Sequence, residues 1–104
     1  MAKKTKAESE FEAQFMKDLD EAMPEPGFWL KGNSAMRQGV PDRMYLNGPH
    51  WAALEFKKGD GSDIQPNQPY YVEKLGKMSY AAFVTPENAD EVISGIQQAF
   101  GVGR

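Results

Sequence analysis

Apolar residues recur at helical spacing in the first quarter of the chain. Phe11, Phe15, Leu19 and Met23 follow one another at intervals of four residues, which places them on one face of a helix. The pattern predicts an amphipathic helix over residues 8–23. The Pro-Glu-Pro-Gly run that comes next ends this helix, because proline cannot continue it.

The rest of the chain alternates short apolar runs with turns that contain glycine or proline, which is typical of an α/β domain. The predicted order of elements is α-β-β-β-α-β-α, with one domain over 8–104 after a flexible basic start at 1–7. Strands are predicted at 28–31, 42–46, 51–57 and 80–84, and further helices at 67–75 and from Pro86 onwards, the last one capped by Thr85.

The second and third strands are joined by a turn at Gly48-Pro49, which predicts a hairpin. With a symmetric turn there, the numbers of facing residues add up to 97, so Asp42 faces Glu55. Facing residues have Cβ atoms roughly 5 Å apart. Lys57, two residues after Glu55, lies on the same face because side chains alternate along a strand. The hairpin therefore brings two carboxylates and one amine together.

Two carboxylates at this distance repel one another unless they share a proton or bind a cation. The chain has no cysteine, which excludes a thiolate site, and carboxylate oxygens favour Mg²⁺ or Mn²⁺. Such an ion lowers the pKa of a bound water and neutralises charge on a phosphate. Lys57 would then orient or deprotonate the attacking water, or stabilise the developing charge. The alternative is that Glu55 and Lys57 form an ordinary surface pair.

The first helix carries a second indication of a cation. Glu12 falls within the apolar stripe when residues are set about 100° apart, so it should face inward. An inward carboxylate is costly unless it meets a cation. Glu12 is thus a candidate further ligand of the metal or of its water, with Glu8 one turn earlier as the alternative.

Charge is unevenly distributed along the chain. The formal net charge of −3 argues against a nucleic-acid partner, but residues 28–58 carry +3 and the remainder −6. A basic face on an acidic body is therefore possible. The candidate phosphate contacts, which are otherwise solubilising charges, are Lys31, Arg37, Arg43 and Lys58.

The run Gly-Val-Pro-Asp at 39–42, followed by Leu-Glu-Phe-Lys at 54–57, resembles the signature of the PD-(D/E)XK nucleases. The glutamate on the first helix and Gln68 near the start of a later helix look like those of the small stand-alone virus-type replication-repair (VRR-NUC) nucleases and of phage Holliday-junction resolvases. The resemblance covers residues 8–100. It implies a restriction-endonuclease-like core, in which a mixed sheet is flanked by helices.

The same resemblance implies a function and a set of site residues. The function is that of a Mg²⁺- or Mn²⁺-dependent endonuclease that hydrolyses phosphodiester bonds of DNA, often as a homodimer acting on four-way or otherwise branched DNA. The implied catalytic residues are Asp42, Glu55, Lys57 and Glu12; the metal-binding positions are Asp42, Glu55, Glu12 and Phe56; and the DNA-binding residues are Arg43, Lys58, Lys31, Arg37 and Gln68.

Other functions stay open on the sequence alone. A general or nicking nuclease would cut duplex DNA as readily as a junction, and a non-catalytic module could bind nucleic acid on the same fold. A third possibility is an assembly protein whose acidic surface meets a basic partner. We expect neither an organic cofactor nor a membrane association, and the absence of cysteine and of a secretory signal fits a cytoplasmic protein, in the host cytoplasm if it is viral.

Overall fold

The computed structural model describes residues 6–32, 41–57 and 68–102. Within these ranges the order of elements is α-β-β-β-α-β-α, as the sequence predicts. No helix in this part of the chain combines the length and the apolar character needed to cross a membrane. The elements are α1 (Lys6–Ala22), β1 (Phe28–Lys31), β2 (Arg43–Asn47), β3 (His50–Phe56), α2 (Gln68–Met78), β4 (Tyr80–Val84) and α3 (Ala89–Ala99).

The four strands form one mixed sheet in the order β1-β2-β3-β4. The first two pairings are antiparallel, and β3 and β4 are parallel. Arg43 faces Leu54 and Asn47 faces His50, so the predicted hairpin register is confirmed. The two-residue turn requires a positive φ at its first position, and Gly48 adopts it with φ 64°.

Helices α1 and α3 cover one face of the sheet. Side chains alternate along a strand, so Leu54 and Phe56 point to this face while Glu55 points to the other. The rings of Phe11 and Phe15 pack edge-on against Phe56, with centroids 6.1 and 5.4 Å away. The largest fully buried side chains of the core are Tyr45, Phe15, Leu19, Leu54, Ile96 and Val84.

Helix α2 lies against β3 and β4. Its first residue, Gln68, is bonded to Glu55, so α2 lies on the sheet face that carries this carboxylate. The helix runs past Gly76 to Met78, three residues beyond the predicted end at residue 75, because a single glycine weakens a helix without ending it.

The predicted start of the last helix at Pro86 is wrong, since α3 begins at Ala89. Thr85 and Asn88 exchange two hydrogen bonds: the Asn88 side chain accepts from the Thr85 backbone N–H (2.8 Å), and the Thr85 hydroxyl accepts from the Asn88 backbone N–H (3.2 Å). These bonds close a separate turn over residues 86–88. Asn88, with φ −112° and ψ 8°, then leads into α3.

Candidate active site

Asp42 and Glu55 lie at the point where β2 begins and β3 ends. The Asp42 backbone N–H donates to Glu55 Oε1 (3.2 Å), and Asp42 Oδ2 accepts from the Phe56 backbone N–H (3.0 Å). Each carboxylate is therefore held by the backbone of the opposite strand. This arrangement fixes both side chains at the edge of the hairpin ladder, as the register predicts.

Lys57 and Gln68 extend this pair into a network on the α2 face. Lys57 Nζ donates to Gln68 Oε1 (2.7 Å), and Gln68 Nε2 donates to Glu55 Oε2 (2.6 Å). Lys57 Nζ also lies 3.7 Å from the same Glu55 oxygen. An ammonium group only donates and a carboxylate only accepts, so the two partners together fix the orientation of the amide.

The network is shielded from solvent. The side chains of Glu55 and Lys57 are 6% and 12% exposed, and Gln68 is the residue of α2 that is buried. The ionised groups are therefore only weakly screened by water, and their hydrogen bonds are of the stronger, charge-assisted kind. We infer that Gln68 joins Glu55 and Lys57 into one unit with a fixed geometry.

Glu12 is buried and faces inward, as its place in the apolar stripe predicts. Its Oε2 accepts from Arg43 Nε at 2.6 Å. Arg43 faces Leu54 in the hairpin, so it belongs to the α1 side of the sheet, whereas Glu55 points to the α2 side. Arg43 is thus a cation that the structure places against Glu12.

The remaining basic candidates are Lys31, Arg37 and Lys58. Lys31 is exposed at the end of β1, and Gly32, which follows it, donates its N–H to the Asp42 carbonyl (2.7 Å). Lys31 therefore ends the strand that runs beside Asp42, but it faces Arg43 and so points to the α1 side of the sheet, away from Glu55. Arg37 and Lys58 lie outside the described residues.

Comparison with known proteins bears on the fold. No family model matches the chain, and no curated protein matches it. A solved structure described as a VRR_NUC domain protein is 25% identical, with a TM-score of 0.65, over 97% of this chain and 93% of that one. A second, described as a VRR_NUC domain, is 20% identical, with a TM-score of 0.68, over 86% of this chain and 97% of that one. The chain has a VRR-NUC-like nuclease fold. It is a PD-(D/E)XK core, and the resemblance seen in the sequence is confirmed at this level.

The donor chemistry of the VRR-NUC-like site fits a magnesium or manganese ion. Asp42 and Glu55 present carboxylate oxygens from adjacent strands, and both ions prefer such hard ligands. Among the described residues, no three His, Cys, Asp or Glu side chains come together as a metal site. The two carboxylates of Asp42 and Glu55 suit Mg²⁺, which is commonly held by one or two carboxylates and keeps waters or phosphate oxygens as its other ligands. Ligation by Glu12 stays a prediction.

The sequence identifies Gln68 as a site candidate that could cap its own helix or position substrate or Lys57, but it does not predict the bridge from Lys57 to Glu55, and it does not predict the partner of Glu12. The bridging position of Gln68 depends on where α2 packs, and the residues before that helix carry no pattern that fixes this. The partner of Glu12 could have been found, because an inward glutamate needs a cation and Arg43 alternates onto the α1 face one residue after Asp42. The sequence instead predicts a metal as that cation, and a phosphate contact or a solubilising charge as the role of Arg43.

Proposed function

We propose that the protein is a metal-dependent endodeoxyribonuclease that hydrolyses phosphodiester bonds, with four-way or otherwise branched DNA as its preferred substrate. The observation that carries the proposal is the shielded network of Asp42, Glu55, Lys57 and Gln68 in a VRR-NUC-like fold. An ordinary surface pair would not require a buried glutamate, a nearly buried lysine and an amide that bridges them.

Asp42 and Glu55 would hold Mg²⁺ or Mn²⁺, with Phe56 between the site residues as a further metal-binding position. The bound ion supplies a Lewis acid for the phosphate and lowers the pKa of a coordinated water. Lys57 donates hydrogen bonds from within the site, where it orients the attacking water or stabilises negative charge on the phosphate. Gln68 holds the ammonium group and the Glu55 carboxylate in their relative positions.

DNA would reach the site across the basic segment. Lys31 is exposed at the end of the strand beside Asp42, but it faces Arg43 and points to the α1 side of the sheet, so a phosphate contact there would require DNA to pass around the edge of the sheet. The same proposal includes three further phosphate contacts, Arg37, Arg43 and Lys58. Arg43 also anchors α1 through its hydrogen bond to Glu12. Two copies acting together on opposing strands would account for cleavage at a branch point, and a cytoplasmic location fits a DNA substrate.

The test is cleavage of a labelled four-way junction and of its matched linear duplex, with Mg²⁺, with Mn²⁺ or with a chelator. Wild type should produce metal-dependent nicks confined to the junction. Lys57→Met keeps the length of the side chain but removes the donor, and we expect it to lower the rate by about a hundredfold or more, as the loss of a transition-state donor does. Lys77→Met is the matched control, because Lys77 is 77% exposed on α2, and it should cut like wild type.

Each other outcome assigns a different function. Equal cutting of junction and duplex would make the protein a general or nicking nuclease. Tight junction binding by folded wild type without cleavage under either metal would make it a non-catalytic binding module. A Lys57→Met variant as active as wild type would overturn the proposed mechanism.

A further inference from the structure

Helix α2 presents an aromatic ring and an ammonium group to solvent at the end that meets the candidate active site. Its first residue, Gln68, bonds Lys57 and Glu55 on the inner side of the helix. Residues two positions apart are about 200° apart around a helix, so Tyr70 lies on the outer side, where it is 57% exposed. Lys74, four residues later, lies on the same outer side and is also exposed.

Tyr70 and Lys74 form one small surface with Tyr71. Lys74 Nζ lies 5.9 Å from the centre of the Tyr70 ring, at the outer limit of a cation–π contact. The rings of Tyr70 and Tyr71 pack edge to face, with centroids 5.3 Å apart and planes at 74°. Tyr71 is partly buried, so it holds the exposed ring against the helix. We call these three residues the Tyr70 platform.

The core of the domain does not account for the platform. Among the described residues, neither Tyr70 nor Tyr71 belongs to the buried core cluster or to the apolar residues that pack against it. A single exposed tyrosine on a protein surface requires no explanation. An exposed ring that has an ammonium group beside it and a catalytic network at the foot of its helix is a more specific combination, and it is typical of surfaces that bind single-stranded nucleic acid.

The platform lies within reach of a strand bound at the active site. Tyr70 belongs to the first turn of α2, about 3 Å along the helix axis from Gln68. A helix with its side chains is about 10–12 Å across, so the outer ring and the inner network are separated by about 10 Å. At the rise of about 3.4 Å per nucleotide of a stacked strand, about three nucleotides cover this distance. A strand that leaves the site over the first turn of α2 therefore passes the ring.

We propose that the Tyr70 platform binds an unpaired nucleotide of the DNA, with the base stacked on the Tyr70 ring and a neighbouring phosphate paired with Lys74. The inference rests on the proposed function, since it takes DNA as the substrate. It deepens that function by naming the feature that the enzyme recognises, which is an unpaired base within a few nucleotides of the bond to be cut.

The chemistry of the platform favours an unpaired nucleotide over a duplex. Inside a duplex both faces of each base are covered by its neighbours, so proteins contact phosphates and base edges, and a side chain that enters the stack must first separate two bases. An unpaired base has a free face, and stacking on an aromatic ring accepts every base because each has a π-face. The platform would thus select DNA by structure and not by sequence.

The charges on α2 assign the phosphate contact to Lys74. Lys77 Nζ lies 3.9 Å from Glu73 Oε2, so Lys77 offsets the charge of a glutamate that would otherwise repel a phosphate. Lys77 also lies about 10 Å farther along the helix axis than Tyr70. Lys74 is the lysine that the structure places beside the ring, where one nucleotide can contact both groups. Lys77 is therefore the matched control for Lys74.

The first test measures stacking without cleavage. A forked DNA carries 2-aminopurine, whose fluorescence falls when it stacks, in its unpaired arm, and the matched duplex carries the same base paired; a chelator is present throughout. Wild type should quench the fork and bind it more tightly than the duplex. Tyr70→Leu, which keeps apolar bulk without a ring, should lose the quenching and raise the dissociation constant for the fork by about fivefold or more. Tyr70→Phe keeps the ring and should behave like wild type.

The second test measures the phosphate contact through its dependence on salt. Each phosphate contact on a single strand contributes about 0.7 to the slope of log affinity against log salt concentration. Lys74→Met should lower the slope for the fork by about that amount, and Lys77→Met should leave it unchanged. An equal effect of the two substitutions would overturn the assignment of the phosphate to Lys74.

The outcomes separate the platform from the nuclease. Quenching that depends on the Tyr70 ring, in a protein that cleaves no DNA with Mg²⁺ or Mn²⁺, supports the platform and refutes only the proposed function. Metal-dependent cleavage of a junction by a protein whose Tyr70→Leu variant binds and quenches the fork like wild type leaves the nuclease standing and overturns the platform. All variants are checked by circular dichroism for native helix content and by light scattering. A change of mass in Tyr70→Leu would assign this surface to contact between copies of the chain and would also overturn the proposal.

Discussion

Replacing Gln68 by methionine tests whether the amide holds the site together. Methionine has a similar length and volume, so packing changes little. The substitution removes the hydrogen bonds to Glu55 and Lys57, both of which are largely buried. We expect the protein to become less stable, because two ionised groups lose a partner in a place where water cannot fully replace it.

The magnitude follows from the contacts. A hydrogen bond to a charged group contributes about 1.5–3 kcal/mol. The two losses do not add fully, because Lys57 and Glu55, now 3.7 Å apart, can move closer, and Glu55 keeps the Asp42 backbone N–H. We therefore expect a loss of about 2–3 kcal/mol in the free energy of unfolding, which lowers the melting temperature of a domain this size by about 10 °C or more.

The measurement is urea unfolding in the presence of a chelator, so that no metal contributes to stability. Gln14→Met is the matched control, because Gln14 also donates to a carboxylate, Asp18, at 2.8 Å but on the exposed surface of α1. It should change stability by less than about 0.5 kcal/mol. Equal stability of the Gln68 and Gln14 variants would refute the view that the amide is a structural part of the site.

Three further predictions concern the rest of the molecule. Arg43→Met removes the hydrogen bond and the positive charge that Arg43 supplies to the buried Glu12 carboxylate. Because the Arg43 side chain is 26% exposed, we expect a loss of about 1–3 kcal/mol in urea unfolding, and Glu12→Gln in the same chain should restore part of it. Burial raises the pKa of Tyr80 above its ordinary 10.0, so the contribution of Tyr80 to the free energy of unfolding is fully present below about pH 10 and is lost as the pH rises through the folded pKa. Wild type should therefore lose more stability than Tyr80→Phe in alkaline unfolding. An equal loss of stability in the two proteins would contradict this. Mg²⁺ or Mn²⁺ at about a hundred times its dissociation constant should raise the free energy of unfolding of wild type by about 2.7 kcal/mol and should not stabilise Asp42→Asn. If the metal stabilises Glu12→Gln as much as wild type, Glu12 is excluded as a ligand.

The hairpin shows which part of the site the sequence could predict. A two-residue turn with glycine at its positive-φ position sets the register, and the register sets which side chains face one another. Period-two alternation then assigns Asp42, Glu55 and Lys57 to one face. These relations are local and steric, so they hold whatever packs on the sheet.

Contacts between elements that are distant in the chain could not be predicted in this way. Gln68 reaches Glu55 only because α2 returns across β3, and Glu12 reaches Arg43 only because α1 lies on the opposite face. Amphipathic periodicity predicts that a helix covers the sheet. It does not predict which face the helix covers or where along that face it lies, because both depend on packing. The start of α3 was misplaced although the Thr85–Asn88 exchange has the pattern of a helix capping box. The turn that it closes over residues 86–88 ends in Asn88, whose φ of −112° is not helical, so the regular helix begins only at Ala89.

The distribution of apolar residues over the two faces connects these points to function. On the α1 and α3 face of the described residues, apolar side chains are buried and the buried acid, Glu12, is bonded to an arginine. On the α2 face, α2 packs against β3 and β4, while Phe28 and Leu30 on β1 are exposed. The face that carries the Glu55–Lys57–Gln68 network is thus the less covered of the two, and an open face is what access of a large substrate would require.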